Sequence, residues 1–338
     1  MRDDSRALKL CNDVVRFGIA RGAFEAPRPI LAHVEQMVTG GDCKTVYVKG
    51  YETDTYLVTP QSGSFSGIVI KIVPDANVRL AKSVAQEATV LRQVYICGET
   101  SLCVWPTPLA FYQYEDAHVS VLLKIAGSAI TCVCVDTRTA AAVAQAICEI
   151  QRCIGSVPYG RQMLSILQAS STYYASKIRQ WLQKYTSVTI GEESLRFFDA
   201  LEARRIAVPT IVSDRSPANF IAMNNGDIGC FDFGLMLVGV PQEDWSWFID
   251  DPRLKTTLSR NQLIDIFGVE CGTGIPTTQE LAYHLAAMFV CIKQYCLMHE
   301  TGRHEMAAHY MRRASVSADA LPFQDAKKLV HIISNPPR

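Results

Sequence analysis

VSDRSPANFIAMNNGDIGCFDFG, residues 212–234, is the stretch whose reading decides the fold of this 338-residue chain. Two short apolar runs, 220–223 and 228–231, flank Asn224-Asn225-Gly226, and that turn chemistry makes the pair a hairpin. Around the hairpin stand Asp214, Asn219 and Asp232. Carboxylate and amide oxygens of this kind are what hard divalent cations accept as ligands.

Upstream, SGIVIKIVP (66–74) is a short apolar run of the kind a buried strand needs, and it carries one charge, Lys71, which burial would leave in need of a partner. The next segment, AKSVAQEATVLRQVY (81–95), places Val84, Ala88, Leu91 and Val94 on one helical face and includes Glu87. A glutamate on a helix packed against that strand would pair with the lysine. Taken alone, Lys71 reads equally as an edge-strand lysine reaching solvent, and Glu87 as a helix-surface charge. Taken with Asp214, Asn219 and Asp232, they supply what phosphoryl transfer requires: a cation on the phosphates, oxygens for Mg²⁺ and a carboxylate to orient the attacking hydroxyl.

Residues 35–60 read as two alternating strand runs, with Gly40-Gly41 early and Gly50 between them. Two more strands are expected at 108–115 and 118–127, so 35–126 reads as an antiparallel sheet with one helix. From residue 137 the period becomes helical, at 137–154, 162–185, 191–207 and 276–300. The expected class is α+β, a bilobal chain with a helical extension (1–34), a sheet lobe (35–126) and a mostly helical lobe (127–338).

Thirty-three basic residues balance thirty-three acidic ones, which argues against a nucleic-acid partner. The first residues carry charges where an export signal needs an apolar core. The apolar stretches near 128–148 and 281–298 read as too short and too polar to span a bilayer. A cytoplasmic protein without a membrane partner is expected. Its twelve cysteines, with no CxxC pair, read as small buried residues in a reducing compartment.

TGGDCKTVYV (39–48), VIK (69–71), QEATVLRQV (86–94), SDRSPANF (213–220) and FDFG (231–234) together resemble the protein-kinase-like fold, in its branch of aminoglycoside phosphotransferases and choline kinases. The resemblance runs from about residue 36 to 250. It implies phosphoryl transfer from ATP, with GTP open, to a hydroxyl of a small molecule such as an aminoglycoside, an amino alcohol or a sugar. Asp214 would be the catalytic base, Asn219 and Asp232 the Mg²⁺ ligands, and Lys71 the phosphate lysine steadied by Glu87. The backbone of Gly40, Gly41, Asp42 and Cys43 would cover the phosphates, and a hinge at 123–126, with Leu123 and Ile125, would bond the adenine. Two positions depart from the family: Val212 stands where a histidine is usual, and Arg215 where an apolar residue is.

Asp244 follows only twelve residues after Asp232, which leaves little platform for a peptide and favours a small acceptor. Arg215 and Asp244 are the candidate acceptor contacts. The acidic excess in 243–270 would suit an amine-bearing acceptor, or is simply a solvated helical face. An atypical protein kinase and a non-catalytic nucleotide-binding module are the competing readings.

Overall fold

The computed structural model describes residues 4–40, 43–49, 53–63, 65–97, 103–166, 173–186, 188–202, 210–234, 236–272 and 276–335. The chain divides into two units: residues 1–100, 104–127 and 229–235 form unit 1, and 101–103, 128–228 and 236–338 form unit 2.

Unit 1 opens with two helices, α1 (Asp4–Ala20) and α2 (Arg28–Gly40), followed by β1 (Cys43–Lys49), β2 (Asp54–Pro60), β3 (Ile68–Pro74) and α3 (Val78–Cys97). After β4 (Cys103–Val104), where the chain crosses between units, come β5 (Pro108–Tyr114) and β6 (Ala117–Leu123). The sheet has the order β1-β2-β3-β6-β5, and each neighbouring pair is antiparallel. Lys71 lies on the central strand, opposite Thr55 on one side and Ser120 on the other.

Helices α1 and α2 pack on the sheet of unit 1. Cys11, Val14 and Val15 of α1 and Val34, Met37 and Val38 of α2 share one core with Val58, Ile68, Ile70, Val119 and Val121 of the sheet. The strand reading of 35–40 is therefore corrected: these residues end α2. Val34, Met37 and Val38 follow the i, i+3, i+4 spacing of a helix, and six residues of apparent alternation are too few to compete with it. All four stripe residues of α3 are buried, each burial worth about 1.5–3 kcal/mol for the larger side chains. At the entry to β3, Gly67 has φ +96° and approaches Val58 so closely that a Cβ would stand 2.2 Å from its carbonyl oxygen. Only glycine fits there.

Unit 2 contains β7 (Ser128–Ala129), a 3₁₀ turn at Ile130–Cys132, α4 (Thr137–Ser156), α5 (Pro158–Ile166), α6 (Tyr173–Tyr185), a 3₁₀ segment at Glu192–Phe198 and α7 (Asp199–Glu202). Then come β8 (Thr210–Val212), the turn Pro217–Asn219, β9 (Phe220–Ala222) and β10 (Ile228–Cys230), at which the chain crosses again. It returns through β11 (Leu237–Gly239) to α8 (Pro241–Ile249), α9 (Arg260–Cys271), α10 (Pro276–Glu300), α11 (His304–Ala320) and α12 (Gln324–Ser334). The core gathers around α10, whose Ala282, Leu285, Ala286, Phe289 and Ile292 meet residues of α6, α11 and α12. Residues 278–300 do have the length and hydropathy of a membrane span, contrary to the sequence expectation, but 78% of an 18-residue stretch within them is buried inside the protein.

One cysteine expectation also changes. Cys148 of α4 and Cys271, the last residue of α9, are joined as a disulfide across 123 residues of chain. Seven of the nine free cysteines among the described residues are buried, as small apolar residues would be.

Candidate active site

Unit 1 assembles a charged centre on Glu87. This α3 side chain is fully buried and accepts the Lys71 ammonium at both oxygens, at 3.0 and 2.7 Å. It also accepts the backbone N–H of Phe233 at 3.0 Å, so one carboxylate holds both the β3 lysine and the 231–234 segment. Lys71 reaches a second carboxylate, Asp232, at 3.5 Å. Burial disfavours the charged ammonium, yet Glu87 and then Asp232 more than offset it and hold the lysine protonated above its ordinary range.

Asp232 itself has φ +66°, the left-handed region that a non-glycine residue rarely adopts, and its side chain is 52% exposed. Its neighbours over-determine that conformation. Phe233 stacks on Trp105 with ring centroids 4.7 Å apart, and at Gly234 a Cβ would stand 2.3 Å from the Ser83 hydroxyl.

The hinge segment is partly committed already. The N–H of Leu123 donates to Thr107 and that of Lys124 to Gly67, while the Lys124 carbonyl accepts from the Ser66 hydroxyl. Ile125, the other hinge residue named from sequence, follows directly and is half-buried. Gly40 is the exposed last residue of α2, and Cys43 is the buried first residue of β1. Gly41 and Asp42, expected over the phosphates, lie outside the described residues.

Unit 2 carries the 213–219 loop. Asp214 is half-buried; its Oδ1 accepts the Ser216 N–H at 3.0 Å, and its carbonyl accepts the Asn219 side-chain amide at 2.8 Å. The 217–219 turn begins with Pro217, pre-set for helical φ, and is closed by Asn219 N–H on the Ser216 carbonyl. The hairpin turn read from the sequence is present: Met223 N–H donates to Asp227, Gly226 has φ +90°, and Asp227 N–H donates to the Asn225 side chain.

Asp244 braces the loop from below. Fully buried in α8, it accepts the Ser213 N–H at 2.9 Å and the Gln151 side chain at 2.7 Å. Burial pushes its carboxyl up to about 6, against the pull of the Arg215 charge and of these two hydrogen bonds. Arg215 is itself buried, at 1% exposure. Through its bonds to Ser213 and Gln151, Asp244 supports the loop from inside the protein.

Sequence reasoning missed Gln151, Trp105 and Ser83. A signal for Gln151 was available, since it is a polar residue in the buried stripe of α4, among Ile147, Ile150 and Ile154.

No protein-family model matches the chain, and no curated protein matches it in sequence. Solved structures do match in fold. An amicoumacin kinase, in complex with AMP-PNP, Ca²⁺ and its antibiotic, superposes with TM-score 0.57 at 14% identity, over 97% of this chain and 100% of that one. A GDP complex of an aminoglycoside 2'-phosphotransferase gives 0.59 at 13%, over 86% and 97%. A gentamicin complex of another aminoglycoside phosphotransferase gives 0.53 at 18%, over 90% and 98%. The fold is that of the aminoglycoside phosphotransferases. It is an α+β, bilobal, protein-kinase-like fold, as the sequence implied, and identities this low establish the fold alone.

Each unit also carries one oxygen donor of the kind a hard divalent cation takes. Asp232 presents a half-exposed carboxylate. Asn219 donates its side-chain amide to the Asp214 carbonyl, and its side-chain oxygen is an acceptor. Both are hard oxygen donors of the kind Mg²⁺ takes.

Proposed function

We propose that the protein is a nucleotide-dependent O-phosphotransferase acting on a hydroxyl of a small molecule. The observation that carries the reading is the Lys71 ammonium set between Glu87 and Asp232, with Asp232 in a left-handed backbone conformation. Held at Glu87 by two hydrogen bonds and only loosely at Asp232, the ammonium can trade its Asp232 contact for nucleotide phosphate oxygens. Strain of this sort persists where the surrounding structure imposes it, and it clusters at functional sites.

In this reading Lys71 binds the phosphates of ATP, or of GTP, and Glu87 keeps it oriented. Ile125 in the hinge offers its backbone to the purine. Asp214, its carboxylate aimed by the Ser216 N–H, accepts the hydrogen bond of the acceptor hydroxyl and orients the oxygen for attack. As the bond from the acceptor oxygen to the γ-phosphorus forms, the bond from that phosphorus to the β–γ bridging oxygen breaks, the acceptor proton passes to Asp214 and the nucleoside diphosphate leaves. Asn219 and Asp232 are the residues that would hold Mg²⁺, and the bound ion would neutralise charge on the transferring phosphoryl group. Positioning and charge neutralisation account for the catalysis. That the neighbours in fold include antibiotic kinases supports a small-molecule acceptor.

The test is Asp214→Asn. Phosphate transfer from labelled ATP or GTP to a panel of hydroxylated small molecules should fall by about 10³-fold or more, a loss of general-base and positioning contributions together. Nucleotide affinity, read by calorimetry, should stay within a few-fold. Retained turnover in this variant would remove Asp214 from the mechanism.

A further inference from the structure

The buried face of α4 runs through Val143, Ala144, Ile147, Ile150 and Ile154, and Gln151 stands among them at 6% exposure. An aliphatic side chain would fill that place without desolvating a polar group, so the amide costs free energy unless it is bonded. The helix that carries it is anchored at two points. Asp136 caps the first turn by accepting the Thr139 N–H at 2.8 Å, and the disulfide of Cys148, one turn before Gln151, ties α4 to the end of α9.

The amide is bonded to α8. Its Nε2 donates to Oδ2 of Asp244 at 2.7 Å and lies 3.4 Å from the Pro241 carbonyl, both in the first turn of that helix. Oδ1 of the same carboxylate accepts the Ser213 N–H at 2.9 Å, and Asp214 is the next residue. Each oxygen of Asp244 is thus engaged by one N–H, an arrangement that fits the ionised carboxylate, whose oxygens only accept. A proton on Oδ2 would displace the Gln151 hydrogen and break that bond.

Burial favours the neutral acid; the Arg215 charge and these two bonds oppose it, as does the first turn of α8, where unpaired N–H groups favour negative charge. The Asp214 charge works the other way, and Glu243 shares the same buried turn. A carboxylate held by one oxygen can swing about that bond. A second donor on the other oxygen, carried by a different helix, removes the swing.

We propose that Gln151 is a positioning residue for the transfer reaction: it locks the Asp244 carboxylate as a two-sided acceptor and, through Ser213, sets where Asp214 aims. This rests on the phosphotransferase reading above for what Asp214 does. Each link in the series Gln151, Asp244, Ser213, Asp214 is a hydrogen bond or a peptide bond, so the effect on the reacting group is transmitted by contact.

The test compares Gln151→Leu, close in volume but without a donor, with Gln151→Glu, which keeps the shape and exchanges the donor for a titrating oxygen. Transfer is followed in the full chain from ATP and Mg²⁺ to gentamicin, choline and glycerol. Gln151→Leu should lower kcat by about 10- to 100-fold, the cost of a misplaced reacting group, with the KM for ATP within about twofold of native. For Gln151→Glu the ratio of variant to native kcat should fall as pH rises from about 5 to about 9, because the new carboxyl donates to Asp244 when protonated and repels it when ionised. Amide hydrogen exchange at Ser213 needs no turnover; it should quicken by about tenfold in Gln151→Leu while exchange within α10 stays native. Native kcat in Gln151→Leu, a pH-independent ratio for Gln151→Glu, or native exchange at Ser213 overturns the proposal. Should Gln151→Leu fail to fold, the pH-dependent ratio and the Ser213 exchange of Gln151→Glu decide, both expected to depart further from native as pH rises. If the native chain phosphorylates none of the three acceptors but Ser213 exchange quickens as expected, the phosphotransferase reading fails and the Gln151 brace stands. If that exchange stays native, the brace falls.

Discussion

Lys71 and Glu87 separate stability from function within a single pair. Removing one member of a buried pair strands the other, which costs about 3–5 kcal/mol, whereas neutralising both relieves that cost. Lys71→Met is therefore expected to lower the unfolding free energy by about 3 kcal/mol in urea titration. Adding Glu87→Gln should recover most of the loss, because glutamine still accepts the Phe233 N–H that Glu87 accepts now. Nucleotide affinity should remain weak in both variants. A double variant as unstable as the single one would show that the cost is lost packing, not a stranded charge. The pair itself was legible in sequence, since a lone lysine in an apolar strand has to be matched by a nearby acid. The further attachment of Glu87 to Phe233 was not, because 146 residues separate the two and no local pattern records such a contact.

At the scale of elements, α8 concentrates buried acid. Glu243 closes the first turn of the helix by accepting the Val240 N–H, and it also takes the Tyr174 hydroxyl. Burial pushes its carboxyl from its ordinary 4.5 up to about 7, despite these bonds and the Lys293 charge. The folded chain therefore keeps a proton on Glu243 over a pH interval in which the unfolded chain has released it. Its stabilising effect is complete below pH 4.5 and is lost as pH rises through 7. The contribution amounts to about 3 kcal/mol across that interval. Asp244, raised to about 6, adds a slope of the same sign. Glu243→Gln should flatten the fall in stability between pH 5 and 8, measured by denaturant unfolding at several pH values. A variant with the native slope would assign the pH dependence elsewhere. Most elements were legible from periodicity, α3 most cleanly. Residues 35–40 were misread because a short alternation near a helix end mimics a strand, and the burial of Val34 and Met37 that decides the matter is tertiary.

For the whole molecule, a nucleotide that binds only the folded chain must stabilise it by mass action. At a concentration of ATP and Mg²⁺ one hundred times Kd, the unfolding free energy should rise by about 2.7 kcal/mol. Repeating the denaturation with GTP ranks the two nucleotides, and Asp232→Ala should abolish most of the Mg²⁺-dependent part. No shift with either nucleotide would remove nucleotide binding from the proposed function. The residue types of the charged centre and the two-part architecture were already written in the order Lys71, Glu87, Asp214, Asn219, Asp232 and in the change from strand to helical period, because both are local or ordinal properties of a chain. Which charges end exposed was not. Residues 243–270 count as acidic along the sequence, yet folding buries Glu243, Asp244, Asp250 and Asp251 and leaves Arg253 half-exposed. A sequence lists charges without saying which will be desolvated, and desolvation depends on partners such as Gln151, Tyr174 and Tyr283 that only packing of distant helices brings into contact.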